Sequence, residues 1–257
     1  MTPSATTPPS STVYLVGGGP GDPELLTLKA VRLLARAEVV VYDNLVSAAV
    51  LAHANPQAER IYVGKKAGNH ALPQLDINGL LVSLAQAGRT VVRLKGGDPY
   101  IFGRGGEEAE ALVEAGIRFE VVPGVTAAAG AAAYAGIPLT HRDYAQSCFF
   151  VTGHLKDESC NLDWPTLARP GQTLVIYMGL TSLPEISRQL MLHGMPPDTP
   201  AACIRKASLP DQHTLVATIS TLPQAVQEAA FKPPALLIIG AVAQLHARLG
   251  WHETAKT

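Results

Sequence analysis

One alternation constrains the fold of this chain more than any other feature of its sequence. Short runs of β-branched and apolar residues, TVYLV, EVVVYD, TVVRLK and FEVVPG, are separated by stretches with helical spacing, ELLTLKAVRLLARA, INGLLVSLAQAG and EEAEALVEAG. Continuous apolar strands are buried on both faces, and helices between them provide the cover, so this order predicts βα units around a mostly parallel sheet. Helix stops agree with it, because AQAGRT and EAGIRF each place a glycine before the next strand. Beyond VVPGVTAAAGAAAYAGIPLTHRDYAQ the texture changes. CFFVTG, TLVIYMG, LPEISRQLMLHG, PAACIRKAS, HTLVATIS and PALLIIGAVAQLHARL read as a second, strand-rich α/β unit that repeats none of the first unit's motifs. The expected organisation is a polar, proline-rich leader (1–12), an N-terminal α/β domain (13–122), a C-terminal α/β domain (123–247) and a tail (248–257). The alanine and glycine tract from Thr126 to Gly136 is expected to be a tightly packed helix at the junction.

Composition narrows the function. With 257 residues and 47% hydrophobic content the chain can bury a substantial core. A formal net charge of −1 gives no basic field for nucleic acid, so a polyanionic ligand would have to meet local arginines. Cys148, Cys160 and Cys203 form no CxxC pair and are expected as reduced thiols in the cytoplasm. MTPSATTPPSST is not a secretory signal, and no apolar run approaches the roughly 20 residues of a membrane helix.

Two glycine-rich turns invite a ligand reading. In VYLVGGGPGDPELLTLKA, Gly17, Gly19 and Gly21 alternate, with Pro20 and Asp22 between and after them. That spacing fits neither the dinucleotide fingerprint nor a P-loop, and the acid stands where pyrophosphate would sit. By itself this turn is equally a structural bend and a ligand loop. In VVRLKGGDPYIFGRGGEEAEAL, Gly96 and Gly97 permit close approach to the backbone, and Asp98 before Pro99 is held extended or in a turn. A carboxylate fixed in this way can accept hydrogen bonds from a ribose diol or an amino group but is a poor phosphate receptor. The pattern favours a nucleoside-type ligand without phosphates, of which S-adenosylmethionine is the common one.

Taken together, GGGPGDPELLTLKA, VVVYDNLVS, VGKKAG, VRLKGGDPYIFGRGGEE, VVPGVTAAAGAAAYAGIPLTHRDYA and VIYMGL resemble the successive signatures of the uroporphyrinogen-III C-methyltransferases, within the tetrapyrrole methylase family. The resemblance runs from about residue 12 to about residue 247. It implies a homodimer of two-domain α/β chains, with S-adenosylmethionine in the interdomain cleft, uroporphyrinogen III as acceptor, precorrin-2 as product and no metal. It further implies that the first glycine turn borders the site chiefly through Pro20. Carried over by position, the cofactor contacts fall on Pro20, Gly96, Gly97, Asp98, Ile101, Thr126, Ala127 and Met178, with Ala207 where relatives often carry glycine, and with Gly240 or Ala241 as an addition. Asp43 and Lys65 are implied as acid/base groups, Arg104 with Glu107 as proton-handling and substrate groups, and Arg142 as a substrate contact. Lys66, Glu108 and Glu110 read as solvated charges, His141 as part of a loop cluster with Arg142, and His154 as a structural histidine or an assisting group. Dehydrogenase and chelatase modules precede the methylase in the larger sirohaem enzymes, so the short leader leads us to expect precorrin-2 and no later product. Competing readings are a later precorrin methyltransferase, a relative acting on ribosomal RNA or diphthamide, a tetrapyrrole carrier and an NAD-dependent oxidoreductase. Near-neutral charge weighs against RNA, and the glycine spacing weighs against NAD.

Overall fold

In the computed structural model, residues 11–64, 72–153 and 162–252 are described. The chain divides into two units, Met1–Thr126 and Ala127–Thr257. The first contains β1 (Thr12–Gly17), α1 (Leu28–Leu34), β2 (Val39–Tyr42), α2 (Ala48–Leu51), β3 (Glu59–Tyr62), α3 (Gln74–Gln86), β4 (Val91–Lys95), α4 (Gly105–Glu114) and β5 (Arg118–Val122). Its sheet has the order β3-β2-β4-β1-β5, and every pairing is parallel.

Alternation of side chains across the pleat explains why this sheet is sandwiched. Val13, Leu15, Val39, Val41 and Val91 face Ile77, Leu81 and Leu112 of α3 and α4. Val16, Val40, Val92 and Leu94 face Leu34 and Val50 of α1 and α2 on the other side. Thr27 and Ser47 start α1 and α2 by accepting the N–H groups of Ala30 and Val50 at 3.1 Å each. The sequence reading missed β3 because ERIY is an edge strand with one exposed half and lacks the apolar run of a buried strand.

The second unit contains α5 (Ala127–Ala135), β6 (Ser147–Thr152), α6 (Trp164–Leu167), β7 (Gln172–Tyr177), α7 (Leu183–Leu192), β8 (Pro200–Arg205), β9 (His213–Thr218), α8 (Leu222–Glu228), β10 (Ala235–Ile239) and α9 (His246–Leu249). Its order is β6-β7-β10-β8-β9, with β6 and β7 parallel and the remaining pairs antiparallel. The alanine tract does form a helix, α5. Its small residues let the backbone lie close to Val175, Tyr177, Ala202 and Ile238. Residues read from sequence as the start of a tail are docked: Trp251 donates its indole N–H to the Ala133 carbonyl at 2.8 Å and its ring lies 5.1 Å from that of Tyr134. Among the described residues no helix is long and apolar enough to cross a membrane, and no cluster of three metal-ligating side chains occurs.

Candidate active site

Ligands of parallel α/β sheets sit at the carboxyl ends of the strands, where the helices have not yet covered the backbone. In the first unit four loops meet at that edge and are stitched to one another. After β1, Gly18 N–H donates to Lys95 O at 2.7 Å, and Gly19 and Gly97 exchange two backbone bonds of 3.2 and 2.7 Å. After β5, Gly124 N–H donates to Asp98 Oδ2 at 3.0 Å. After β2, the Ser47 hydroxyl donates to Gly21 O at 2.7 Å. The approach is so close that a Cβ on Gly124 would lie 2.3 Å from Gly97 O. The glycines therefore first let three chain segments pass each other. Gly96 serves the same end, since a Cβ there would meet Leu45 Cβ at 2.6 Å.

Pro20, Gly96, Gly97, Asp98 and Ile101 thus belong to one rim. Asp98 accepts Tyr100 N–H at 2.8 Å on its other oxygen, so its carboxylate orders the rim. The loop that follows closes on itself, because Gly105 N–H donates to Pro99 O at 3.0 Å and a Cβ on Gly103 would lie 2.7 Å from the same oxygen. Closure pushes Tyr100, Ile101 and Phe102 outward, three consecutive exposed apolar side chains. Arg104 ends the loop in a left-handed conformation and caps α4. Its guanidinium grips Glu107 in a fork, Nε to Oε1 at 2.9 Å and Nη2 to Oε2 at 2.7 Å. That hydrogen bonding to Glu107 raises the Arg104 pKa above its ordinary value, so the group stays cationic. In this conformation Arg104 offers charge and hydrogen-bond donors.

Glu108 corrects the expectation of an exposed helix face. It is fully buried, and its Oε1 accepts both Arg93 Nε at 3.0 Å and Lys95 Nζ at 2.8 Å. Glu110, by contrast, is exposed. Arg93 continues to Asp43, Nη2 to Oδ2 at 3.1 Å, while Asp43 Oδ1 accepts Leu45 N–H at 3.0 Å. Burial, then the neighbouring Arg93, push the Lys95 ammonium below the ordinary lysine range, against the pull of Glu108. Sequence reading passed over Arg93 and Lys95 as ordinary strand residues. The available signal was two cations at i and i+2, on one face of a strand otherwise apolar enough to be buried. Lys65, with Lys66 and His154, lies outside the described residues.

In the second unit, Tyr177 Oη accepts Ala128 N–H at 3.0 Å and so ties the start of α5 to the end of β7. This brings the neighbourhood of Ala127, which directly follows Thr126 of the first unit, to Met178. Met178 has a left-handed backbone (φ 54°), as do Lys206 (51°) and Ser208 (67°) on either side of Ala207. Both segments lie beside the start of β10, since Arg205 pairs with Ala235 and Ile176 with Leu237. Six non-glycine residues among those described are left-handed. Phe102, Arg104, Met178, Lys206 and Ser208 all fall in or next to segments the motifs pointed to, and only Ala230, just past α8, is ordinary helix termination. Backbone held in this region costs about 1 kcal/mol or more per residue and concentrates at functional sites.

Gly240 and Ala241 are not brought to that place. Gly240 N–H donates to Pro200 O at the start of β8, and a Cβ there would meet Gln172 O at the start of β7. At about 3.3 Å per residue, the length of β7 puts roughly 17 Å between them and Met178. Arg142 is likewise at the far end: it is exposed, and Gln146, whose side chain donates to its carbonyl, donates its own N–H to Gly171 O just before β7. His141 lies in the same turn, its Nδ1 accepting Asp143 N–H at 3.1 Å.

Comparison with known proteins accords with this arrangement. The chain is 58% identical over 251 residues to a sirohaem synthase of Nitrosomonas eutropha, covering 98% of this chain and 53% of that protein. It is 59% identical over 239 residues to the sirohaem synthase of Methylobacillus flagellatus, covering 93% and 51%. The chain therefore spans about half the length of these curated relatives. Among solved structures, uroporphyrin-III C-methyltransferase from Thermus thermophilus, complexed with S-adenosyl homocysteine, superposes with a TM-score of 0.80 at 44% identity, over 91% of this chain and 100% of that one. A cobalt precorrin-4 methyltransferase superposes with the same TM-score at 29% identity, over 90% and 95%. The profile of the tetrapyrrole (corrin/porphyrin) methylases matches residues 12–223, and it is to this family of enzymes that the chain belongs.

Proposed function

We propose that the chain transfers methyl groups from S-adenosylmethionine to two pyrrole carbons, C2 and C7, of uroporphyrinogen III, giving precorrin-2 and S-adenosylhomocysteine. The observation that carries this reading is the closed loop of residues 98–105, which sets an apolar row, Tyr100 to Phe102, directly beside the fork of Arg104. An apolar face next to a permanent cation is what a flat, carboxylate-rich macrocycle requires.

The rim also fits the methyl donor. Asp98 receives one backbone N–H on each oxygen and keeps a further acceptor site on each, with no ion pair among the described residues. Lys95, the nearest lysine in sequence, is turned into the buried cluster. Such an acceptor-rich edge suits a cationic, hydroxyl-bearing nucleoside and not a phosphate. Asp98, the backbone at Gly96 and Gly97, Pro20 and Ile101 would hold it from the first unit. Thr126, and in the second unit Ala127, Met178 and Ala207, are the further contacts of this proposal. When bound, S-adenosylmethionine supplies an electrophilic methyl group on a sulfonium.

The side chains of the loop then have separate tasks. Tyr100, Ile101 and Phe102 receive the macrocycle and exclude water from the reacting carbon. Arg104 exchanges Glu107 for a substrate carboxylate, and Glu107 keeps the fork oriented in the free enzyme. Asp43, at the same edge, presents a fixed negative charge where the ring becomes cationic after attack. Arg142 as a further carboxylate contact, the homodimer and a cytoplasmic location belong to the same proposal. The match to sirohaem synthases supports a place in sirohaem formation.

Anaerobic incubation with S-adenosylmethionine and uroporphyrinogen III, followed by mass spectrometry of the macrocycle, tests the reading. Addition of two methyl groups is expected. Absence of transfer with intact S-adenosylmethionine binding would overturn the acceptor and move it to a later corrinoid.

A further inference from the structure

The first unit buries a polar cluster that a structural account alone does not need. Arg93 and Lys95 point from one face of β4 into the layer of α3 and α4, where Val91, Leu81 and Leu112 make an apolar core. There they share one carboxylate oxygen of Glu108. Gln74 Nε2 reaches the same oxygen at 3.4 Å, while Glu108 Oε2 has no partner. Removing such charges from water is costly, and replacing a buried ion pair by apolar side chains of similar volume is often neutral or stabilising. A merely structural helix–sheet contact would be served as well by leucine and methionine.

One member of the cluster reaches solvent. Side-chain exposure is 0% for Glu108, 4% for Arg93, 5% for Lys95 and 21% for Asp43. Two cations and two carboxylates leave no net charge only while Asp43 is ionised. The Arg93 guanidinium is held from three sides, by Glu108, by Leu94 O at 3.1 Å and by Asp43. It has little freedom to turn, and Asp43 inherits that fixity.

We propose that Glu108, with Lys95 as its compensating cation, is a positioning residue that fixes Arg93, and that Arg93 in turn fixes the Asp43 carboxylate as an anion at the site. The inference rests on the reading of Asp43 as a site residue given above. Asp43 then acts as a preorganised negative charge and not as a proton shuttle, because both its oxygens are held, Oδ2 by the Arg93 guanidinium and Oδ1 by the Leu45 N–H.

The test compares the charge-balanced apolar pair K95M/E108L with K95M/E108Q, in which glutamine still offers Arg93 Nε an oxygen. The apolar pair should fold with an undiminished melting temperature and bind S-adenosylmethionine with unchanged affinity by calorimetry. Its kcat for methyl transfer should fall about tenfold or more at unchanged KM, and the glutamine pair should recover most of that loss. Full kcat in a folded K95M/E108L protein overturns the inference. D43N separates the two readings: if D43N keeps full kcat, Asp43 is not in the site, whereas a damaged D43N beside a fully active K95M/E108L defeats the positioning role alone. Should the apolar pair fail to fold, R93K retains the charge without the fork. It is expected to lose kcat about tenfold at unchanged KM, and an unchanged kcat there overturns the inference equally.

Discussion

The two units carry their candidate site residues in different currencies. At the carboxyl edge of the all-parallel first sheet the contribution is side-chain chemistry: Asp43, Asp98, Arg104 and Glu107 lie at or near the rim, with Arg93, Lys95 and Glu108 buried below. In the mainly antiparallel second sheet it is backbone shape. Met178, Lys206 and Ser208 are left-handed, and the residues implied as contacts, Ala127, Met178 and Ala207, carry no charge. Parallel strands all end on one edge, so their loops can pool side chains. Antiparallel strands alternate ends, so few loops share an edge and each must be shaped individually.

The largest effect that would break this contrast is at Arg104. R104A is expected to reduce methyl transfer by about 100-fold or more with S-adenosylmethionine affinity nearly unchanged, measured by single-turnover transfer and calorimetry. Near-normal turnover would remove the charged side chain from the account. Next comes the stitching of the first unit. G124A places a Cβ against Gly97 O and should cost ~1–3 kcal/mol in denaturant unfolding and weaken S-adenosylmethionine binding. G79A, in an exposed turn of α3 with nothing within 4 Å of the added Cβ, should instead stabilise by ~0.5–1 kcal/mol.

A smaller effect sharpens the backbone side of the comparison. M178G relieves the left-handed conformation, worth ~1 kcal/mol, so stability should hold or rise while S-adenosylmethionine affinity falls several-fold. If affinity is unchanged, the side chain of Met178 does not matter to the cofactor. Smallest is the thiol in the second core. Burial pushes the Cys203 pKa up to about 12 from the ordinary 9.0. Peptide mapping after iodoacetamide at pH 8 should find Cys203 unmodified in the native protein and modified in denaturant. Its linked contribution to stability is whole below pH 9 and is lost as pH rises from 9 to about 12, because the unfolded thiol ionises first.

Much of this architecture was legible because its signals are local. Apolar runs gave four of the five strands of the first sheet, and the alanine tract gave α5. Edge strand β3 escaped because half-exposed ERIY lacks such a run. The rim loops were visible as glycines, though the sequence does not show that Gly17 and Gly124 are small for each other's sake and for the Gly97 carbonyl. Glu108 was misread because charge on a helix ordinarily means solvent, and the partners that bury it come from a strand 13 and 15 residues earlier. Motif order does not show that strand direction sets Gly240 and Arg142 at the opposite end of the second sheet from Met178.

Trp164 is buried in the core of the second unit, and Trp251 rests on Tyr134 of the same unit. These are the chain's two tryptophans. Intrinsic tryptophan emission is therefore a spectroscopic window on residues 127–257 alone, whereas far-ultraviolet circular dichroism registers helices of both units. Coincident melting curves from the two signals would mean that the units unfold as one cooperative block, and separated curves would resolve the order in which they come apart.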